Sequence, residues 1–178
     1  MRILKIFLFL TATILFTAPA HAATLDEETV KEYLQETINL YNAETVDHGK
    51  ISDFTRKHYS PDIRVVLKVQ NNISAIEPKE IILTRSDILA SNDNPPALFQ
   101  NSRAKIEMTE FEPEDGQVWV TYKFLINATL QGTRSDGTIA HSPYINESSC
   151  KDRMGLENDI IIVYESLCET HEKIGDAN

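Results

Sequence analysis

Apolar and half-apolar side chains recur every three or four positions near the start of the chain: Val30, Tyr33, Leu34, Thr37, Ile38 and Tyr41. That period puts them on one face of a helix about three turns long, with Lys31, Glu32, Gln35 and Glu36 turned to water. Thr24 and Glu27 fit a capping box, in which each side chain satisfies the other's free backbone N–H. Asp26, Glu27 and Glu28 would occupy the first turn, where the helix dipole favours negative charge. A second, shorter helix is predicted over 52–59, capped by Ser52 or Asp53 and stopped by Pro61, with Ile51, Phe54 and His58 along one side.

Beyond residue 62 the period changes from 3.6 to 2. Residues 63–70 alternate as a strand with one apolar face, and Asn71-Asn72 breaks it. A short strand over 80–83 follows, then a short helix opening at Ser86 and running through Ile88 and Leu89, then a loop over 92–96. Ala104, Ile106 and Met108 alternate with Lys105, Glu107 and Thr109. Asp115-Gly116 supplies a turn with positive φ. A long strand over 117–130 carries Val118, Val120, Tyr122, Phe124 and Ile126 on one face, and a strand of that length bends. A polar loop covers 132–137. Two more strands, over 144–156 and 160–169, meet near Asn158-Asp159. The fold class is therefore α+β, with N-terminal helices packed on a strongly curved, mainly antiparallel sheet.

This layout resembles the NTF2-like or SnoaL-like α+β cone superfamily, a cystatin-like cone. The resemblance rests on the capped helix with Tyr33 and Leu34 and the short helix ending His58-Tyr59-Ser60-Pro61-Asp62. It continues through the helix at Ser86, the hairpin from Glu112 to Val118, and the terminal pair of strands. It covers about residues 24–170 and is a pattern of element order. The superfamily includes isomerases, dehydratases, cyclases and many non-catalytic binding modules, so the resemblance leaves enzyme and binder both open.

Composition divides the chain in two. Arg2 and Lys5 precede an uncharged run, and Ala20-His21-Ala22 places small residues at −3 and −1 of a cleavage point. The uncharged stretch 6–20 is short of the roughly 20 residues that span a bilayer. Residues 1–22 are therefore expected to be a cleaved signal peptide, and 23–178 a single exported domain, periplasmic in a bacterium and otherwise secreted. Loss of Arg2 and Lys5 takes the net charge from −10 to −12. So acidic a domain excludes a general nucleic-acid binder, which needs a basic face to displace counterions, and a partner of anionic membrane surfaces.

The only cysteines are Cys150 and Cys168, on the two terminal strands. If the turn is centred on Asp159, antiparallel partners sum to 318. Cys150 then faces Cys168, Leu156 faces Ile162 and Met154 faces Tyr164. This register and the exported location point to a structural disulfide. A redox or metal pair is the alternative, but no CxxC is present and no His lies within two residues of either Cys.

His48, His58, His141 and His171 show no metal-ligand spacing, and no GxSxG elbow or Gly-rich phosphate loop occurs, so no metal and no cofactor are expected. Chemistry, if any, belongs in the hollow between helices and sheet. Tyr33, Tyr41, His58, Tyr122, Asp152 and Tyr164 are the polar residues expected in or near it. An apolar hollow would raise the Asp152 pKa and make it a proton acceptor, with Tyr122 or Tyr164 donating to an oxyanion. The plainer expectation is that the tyrosines pack their rings, and that Asp152, between Lys151 and Arg153, is solvated. Arg56-Lys57-His58 is the one compact basic cluster and reads as a solvated helix face. Three functions follow. The first is an exported non-catalytic module that binds a small apolar ligand or a protein, with a homodimer through the sheet face as one form of the latter. The second is an acid/base isomerase, dehydratase or cyclase using the cavity. The third is an accessory component of a bacterial envelope or secretion assembly, where related cone domains occur.

Overall fold

The computed structural model describes residues 25–72, 79–95 and 97–176. The expected signal peptide and Thr24 lie outside the described residues.

Helix α1 spans Glu27–Tyr41 and buries Val30, Tyr33 and Leu34 on the face its period predicts. Its N-cap is Asp26, whose carboxylate accepts from Thr29 N at 2.8 Å, so the helix starts later than the expected Thr24–Glu27 capping box. The later start leaves Leu25 just before the cap. Leu25 and Val30 both enter the core cluster, the placement of a hydrophobic staple. Helix α2 spans His48–His58 and is capped by Asp47. Gly49 and the polar residues around it hide this first turn from a hydrophobic-period reading, and Ser52, expected as a cap, is buried inside the helix. Pro61 does not stop α2. The chain is already extended at Tyr59, and Pro61 sits in strand β1 (Tyr59–Asn71), in the stretch where pairing is irregular and no N–H is required of it. Strand β2 (Lys79–Leu83) leads to α3 (Arg85–Asp93), where Thr84, rather than Ser86, forms a capping box with Asp87.

Strands β3 (Leu98–Glu114), β4 (Gln117–Thr133), β5 (Ile139–Glu157) and β6 (Ile160–Ile174) form a meander. The sheet order is β2-β1-β6-β5-β4-β3, with β1 and β6 parallel and every other pair antiparallel. Asp115 (φ 46°) and Gly116 (φ 80°) make the first hairpin turn. Asn158 (φ 51°) and Asp159 (φ 62°) make the last one without glycine, using the two side chains that best tolerate this region. The concave face of the sheet and the helices enclose a core that includes Val30, Leu34, Phe54, Ile63, Val120, Met154 and Val163.

Two asparagines tie loose ends into the sheet. Asn42, just after α1, accepts from Ala104 N at 2.7 Å through Oδ1 and donates to Ala104 O at 3.5 Å through Nδ2. Backbone bonds from Val46, Asn101 and Ser102 then lace the α1–α2 linker onto the start of β3. Asn72 does the same at the end of β1, accepting from Ile174 N and donating to Ile174 O.

The β5–β6 register departs from the expected one near the turn and agrees with it further away. The two-residue turn pairs Leu156 with Ile161 and Met154 with Val163, one residue off the expected ladder. A β-bulge then sets Arg153 against both Tyr164 and Glu165. This extra residue restores the offset that brings Cys150 opposite Cys168, and the two are bonded. Their Cα atoms are 4.1 Å apart, the close spacing of a non-hydrogen-bonded antiparallel pair.

The bridge closes a separation of 18 residues, for which chain entropy gives about 3 kcal/mol. Replacing both cysteines by Ala is expected to lower unfolding free energy in urea by about that amount, and reductant is expected to lower wild type but not the variant. A variant as stable as wild type would show that the bridge contributes nothing.

Candidate functional site

Four of the six candidate residues, Tyr33, Tyr41, Tyr122 and Asp152, pack between the helices and the sheet. Tyr33 on α1, Tyr122 on β4 and Asp152 on β5 converge from three elements, joined by Tyr59 at the start of β1. Tyr122 donates its phenol proton to Asp152 Oδ2 at 2.9 Å. Tyr41 packs edge-on against Phe124, ring centroids 5.4 Å apart, and burial raises its phenol pKa.

Asp152 is 2% exposed, so it is not the solvated strand residue that Lys151 and Arg153 suggest. Strand alternation is the signal that finds it: residues flanking an inward position face outward. Lys151 accordingly reaches Glu112 and Arg153 reaches Glu165. Burial pushes the Asp152 carboxyl up to about 6, against the Tyr122 hydroxyl, which favours the ionised form. Ser166 stands directly across the strand pair with its hydroxyl turned to Cys168 Sγ, and Asp152 Oδ1 is left without a hydrogen-bond partner among the described residues. Burial also lifts the Tyr33, Tyr59 and Tyr122 phenols, with the nearby Asp152 charge adding to each.

His58, the last residue of α2, packs against Phe54 (4.4 Å) and Tyr33 (5.2 Å). Its Nδ1 lies 2.9 Å from the carbonyl of Ile161, an acceptor only, so Nδ1 carries the proton. Burial lowers its pKa. His58 borders a cavity of about 190 Å³ with Glu36 and Lys57, whose charged ends are half exposed. Arg56 and Lys57 pair with Asp53 and Glu36 as a solvated helix face does. Tyr164 is elsewhere. It is the bulge residue, on the outer face, donating to Glu157 and stacked under Arg153. The bulge makes two consecutive residues, Tyr164 and Glu165, face outward, and alternation alone does not foresee this.

At the opposite end of the hollow a second cavity of about 300 Å³ opens between α2, α3 and the strand ends. His48, Asn92, Phe99, Tyr144 and Glu172 border it, and the sequence pattern singles out none of them as an inward residue. Tyr144 donates to Glu172 Oε1 at 2.8 Å and receives a bond from Asn146 Nδ2, so both groups are fixed from behind. Both ring nitrogens of His48 and the Asn92 amide nitrogen are buried with no hydrogen-bond partner among the described residues. On the outer face, a trough of about 580 Å³ crosses β3 to β6 past Lys105, Lys123, Leu125, Glu147 and His171. Its charged side chains are exposed, and Glu147 pairs with Lys173. Among the described residues no group of His, Cys, Asp and Glu could hold a metal ion, and no helix is long and apolar enough to cross a membrane.

No family model and no curated protein sequence matches the chain. Its architecture matches solved structures. A conserved protein from Planctomyces limnophilus has TM-score 0.51 at 10% identity, covering 79% of this chain and 96% of the other. Aln2 from a Streptomyces species has TM-score 0.50 at 16% identity, covering 82% and 93%. An NTF2-like protein from Cytophaga hutchinsonii has TM-score 0.48 at 8% identity, covering 82% and 98%. The fold the chain shares with the first two is α+β, with three helices on a curved, unclosed, mostly antiparallel sheet.

The buried carboxyl gives stability a pH dependence of definite sign. Its folded pKa is raised, from 3.8 to about 6, so its contribution is full below pH 4 and is lost as pH rises through 6. The shift corresponds to about 3 kcal/mol. The difference in unfolding free energy between wild type and Asp152→Asn is expected to move against wild type by that order between pH 4 and pH 7.5. A constant difference would show a carboxyl with an ordinary pKa.

Proposed function

We propose that the protein is an exported, non-catalytic binding module of the cone fold, and that it receives a small ligand in the cavity between α2, α3 and the strand ends. The carrying observation is the contrast between the two polar centres of the hollow. Asp152 has the raised pKa and phenol partner that acid/base chemistry calls for, but it is 2% exposed behind the packed core. A general base acts only within hydrogen-bond reach of the proton it takes. Sealed in this way, Asp152 and Tyr122 serve the core. The cavity at the other end is open, walled by Phe99 and Tyr144, and presents the Tyr144 phenol and the Glu172 carboxylate at its border. An open concave site with aromatic walls and a few convergent polar groups is the form that small-ligand pockets take. Export is supported by the leader-like layout of residues 1–22 and by the Cys150–Cys168 bridge, a bond kept in oxidising compartments.

Native mass spectrometry of the full chain, expressed with its leader and recovered from the cell envelope, tests both parts. Mature protein beginning at Ala23 with a non-covalently retained small molecule is the expected result. Ser91→Trp, at the exposed rim of the cavity, is expected to remove the added mass, and Asp152→Asn is expected to keep it. Retention lost in Asp152→Asn and kept in Ser91→Trp would move the site to the buried carboxyl and revive the enzyme reading.

A further inference from the structure

The border of the mouth cavity carries a negative charge that no basic side chain answers among the described residues. We infer that the cavity takes a small organic cation, a protonated amine on an apolar body about the size of one ring. This rests on the reading above and names the ligand class for the same cavity.

Glu172 lies near the end of β6, on the side of the sheet that Tyr144 occupies. Its Oε1 accepts the Tyr144 phenol at 2.8 Å, and Asn146 Nδ2 donates to that phenol oxygen at 3.2 Å. Its Oε2 has no hydrogen-bond partner among the described residues and is not one of the buried unpartnered atoms, so it is open at the border of the cavity. Other carboxylates of the same strand have cations beside them: Glu165 has Arg153 and Glu169 has Lys68. Glu172 has none among the described residues, and Lys173 next to it turns away to Glu147. His48, the one basic group on the cavity wall, engages Glu172 through neither ring nitrogen. A carboxylate fixed by neutral donors, with one oxygen free and no counter-charge, is preorganised to accept a charged N–H.

The surroundings favour the same charge. No lysine or arginine borders the cavity, and the chain is strongly acidic, so the field there attracts cations and repels anions. The ring of Tyr144 packs 5.3 Å from that of Phe99, so the free oxygen and two aromatic rings share one border. Aromatic faces attract a cation through their quadrupole. A neutral apolar guest would suit Leu130 and Ile174 on the wall, but it would take the Glu172 oxygen out of water with nothing to pair it. A protonated amine supplies the missing N–H, and the body it carries covers the apolar wall. The volume of about 300 Å³ lies at the small end of ligand sites, enough for one substituted ring.

Three probes of equal ring size separate the cases: benzylamine, toluene and benzoate, titrated at neutral pH into the full mature protein and followed by ¹H–¹⁵N spectra. Benzylamine is expected to bind at least about tenfold more tightly than either of the others, the value of one charge-assisted hydrogen bond. Glu172→Gln keeps an acceptor for the Tyr144 phenol and removes the charge, and it is expected to abolish the advantage of benzylamine over toluene. Glu80→Gln removes the same charge from the exposed strand β2 and is expected to leave that advantage intact. Ser91→Trp is expected to block benzylamine and toluene alike. Benzylamine no tighter than toluene would overturn the inference in favour of a purely apolar pocket, and tightest binding of benzoate would reverse its sign. An advantage that survives Glu172→Gln, or that Glu80→Gln removes equally, would assign the attraction to the overall charge of the domain and not to this site. No shift with any probe at saturating concentration would also overturn it. A retained mass that Ser91→Trp still removes would then leave the binding module standing and the ligand class refuted.

Discussion

The pairing of β5 with β6 is the constraint on which the inside of the cone depends. A two-residue turn at Asn158-Asp159 would by itself put odd-numbered residues of β6 inward along its whole length. The bulge at Tyr164 reverses this parity halfway. Before it, Ile161 and Val163 face the core; after it, Ser166, Thr170 and the cysteine at 168 do. One extra residue therefore places Ser166 across from Asp152, closes the disulfide, and delivers Glu172 to the side of the sheet that Tyr144 occupies. Without it, Glu165, Leu167, Glu169 and His171 would point inward, and the polar chain from Ser148 through Asn146 to Glu172 would have no terminus.

That parity change explains what the sequence disclosed and what it hid. The α1 stripe, the β3–β4 hairpin and the element order were legible because each is a local pattern: a 3.6-residue period, an Asp-Gly turn, long alternations. The cysteine pairing was legible too, but through a compensation. The expected ladder near the turn was one residue out, and the bulge corrects the error before residue 150 is reached. The bulge itself follows the run Ile160, Ile161, Ile162 and Val163, where every residue is apolar and alternation carries no information on facing. Its effect on Tyr164 and Glu172 was invisible for the same reason.

The mouth cavity was hidden for a different reason. His48 opens α2 in a polar, glycine-containing turn that reads as loop, and Asn92 lies in the last turn of α3, beyond the apolar residues that announce that helix. Neither has a periodic neighbour to mark its side. Only the packing of α2 against α3, a tertiary fact, brings them to one wall. Asp152 is the intermediate case. Its charged neighbours suggested water, while their alternation with it already implied burial.

The asparagine clasps bear on how such a chain meets its own copies. An open sheet offers its border strands as templates for a stranger's backbone. Here the border at β3 is occupied over its first part by the chain's own interhelical segment, held by Asn42 and the bonds from Val46, Asn101 and Ser102. The remainder of that border carries Glu107, Glu110, Glu112 and Glu114, which repel one another's copies. The other border, β2, is five residues long. Growth by successive strand addition, the route to fibrils, is thereby disfavoured at both described margins.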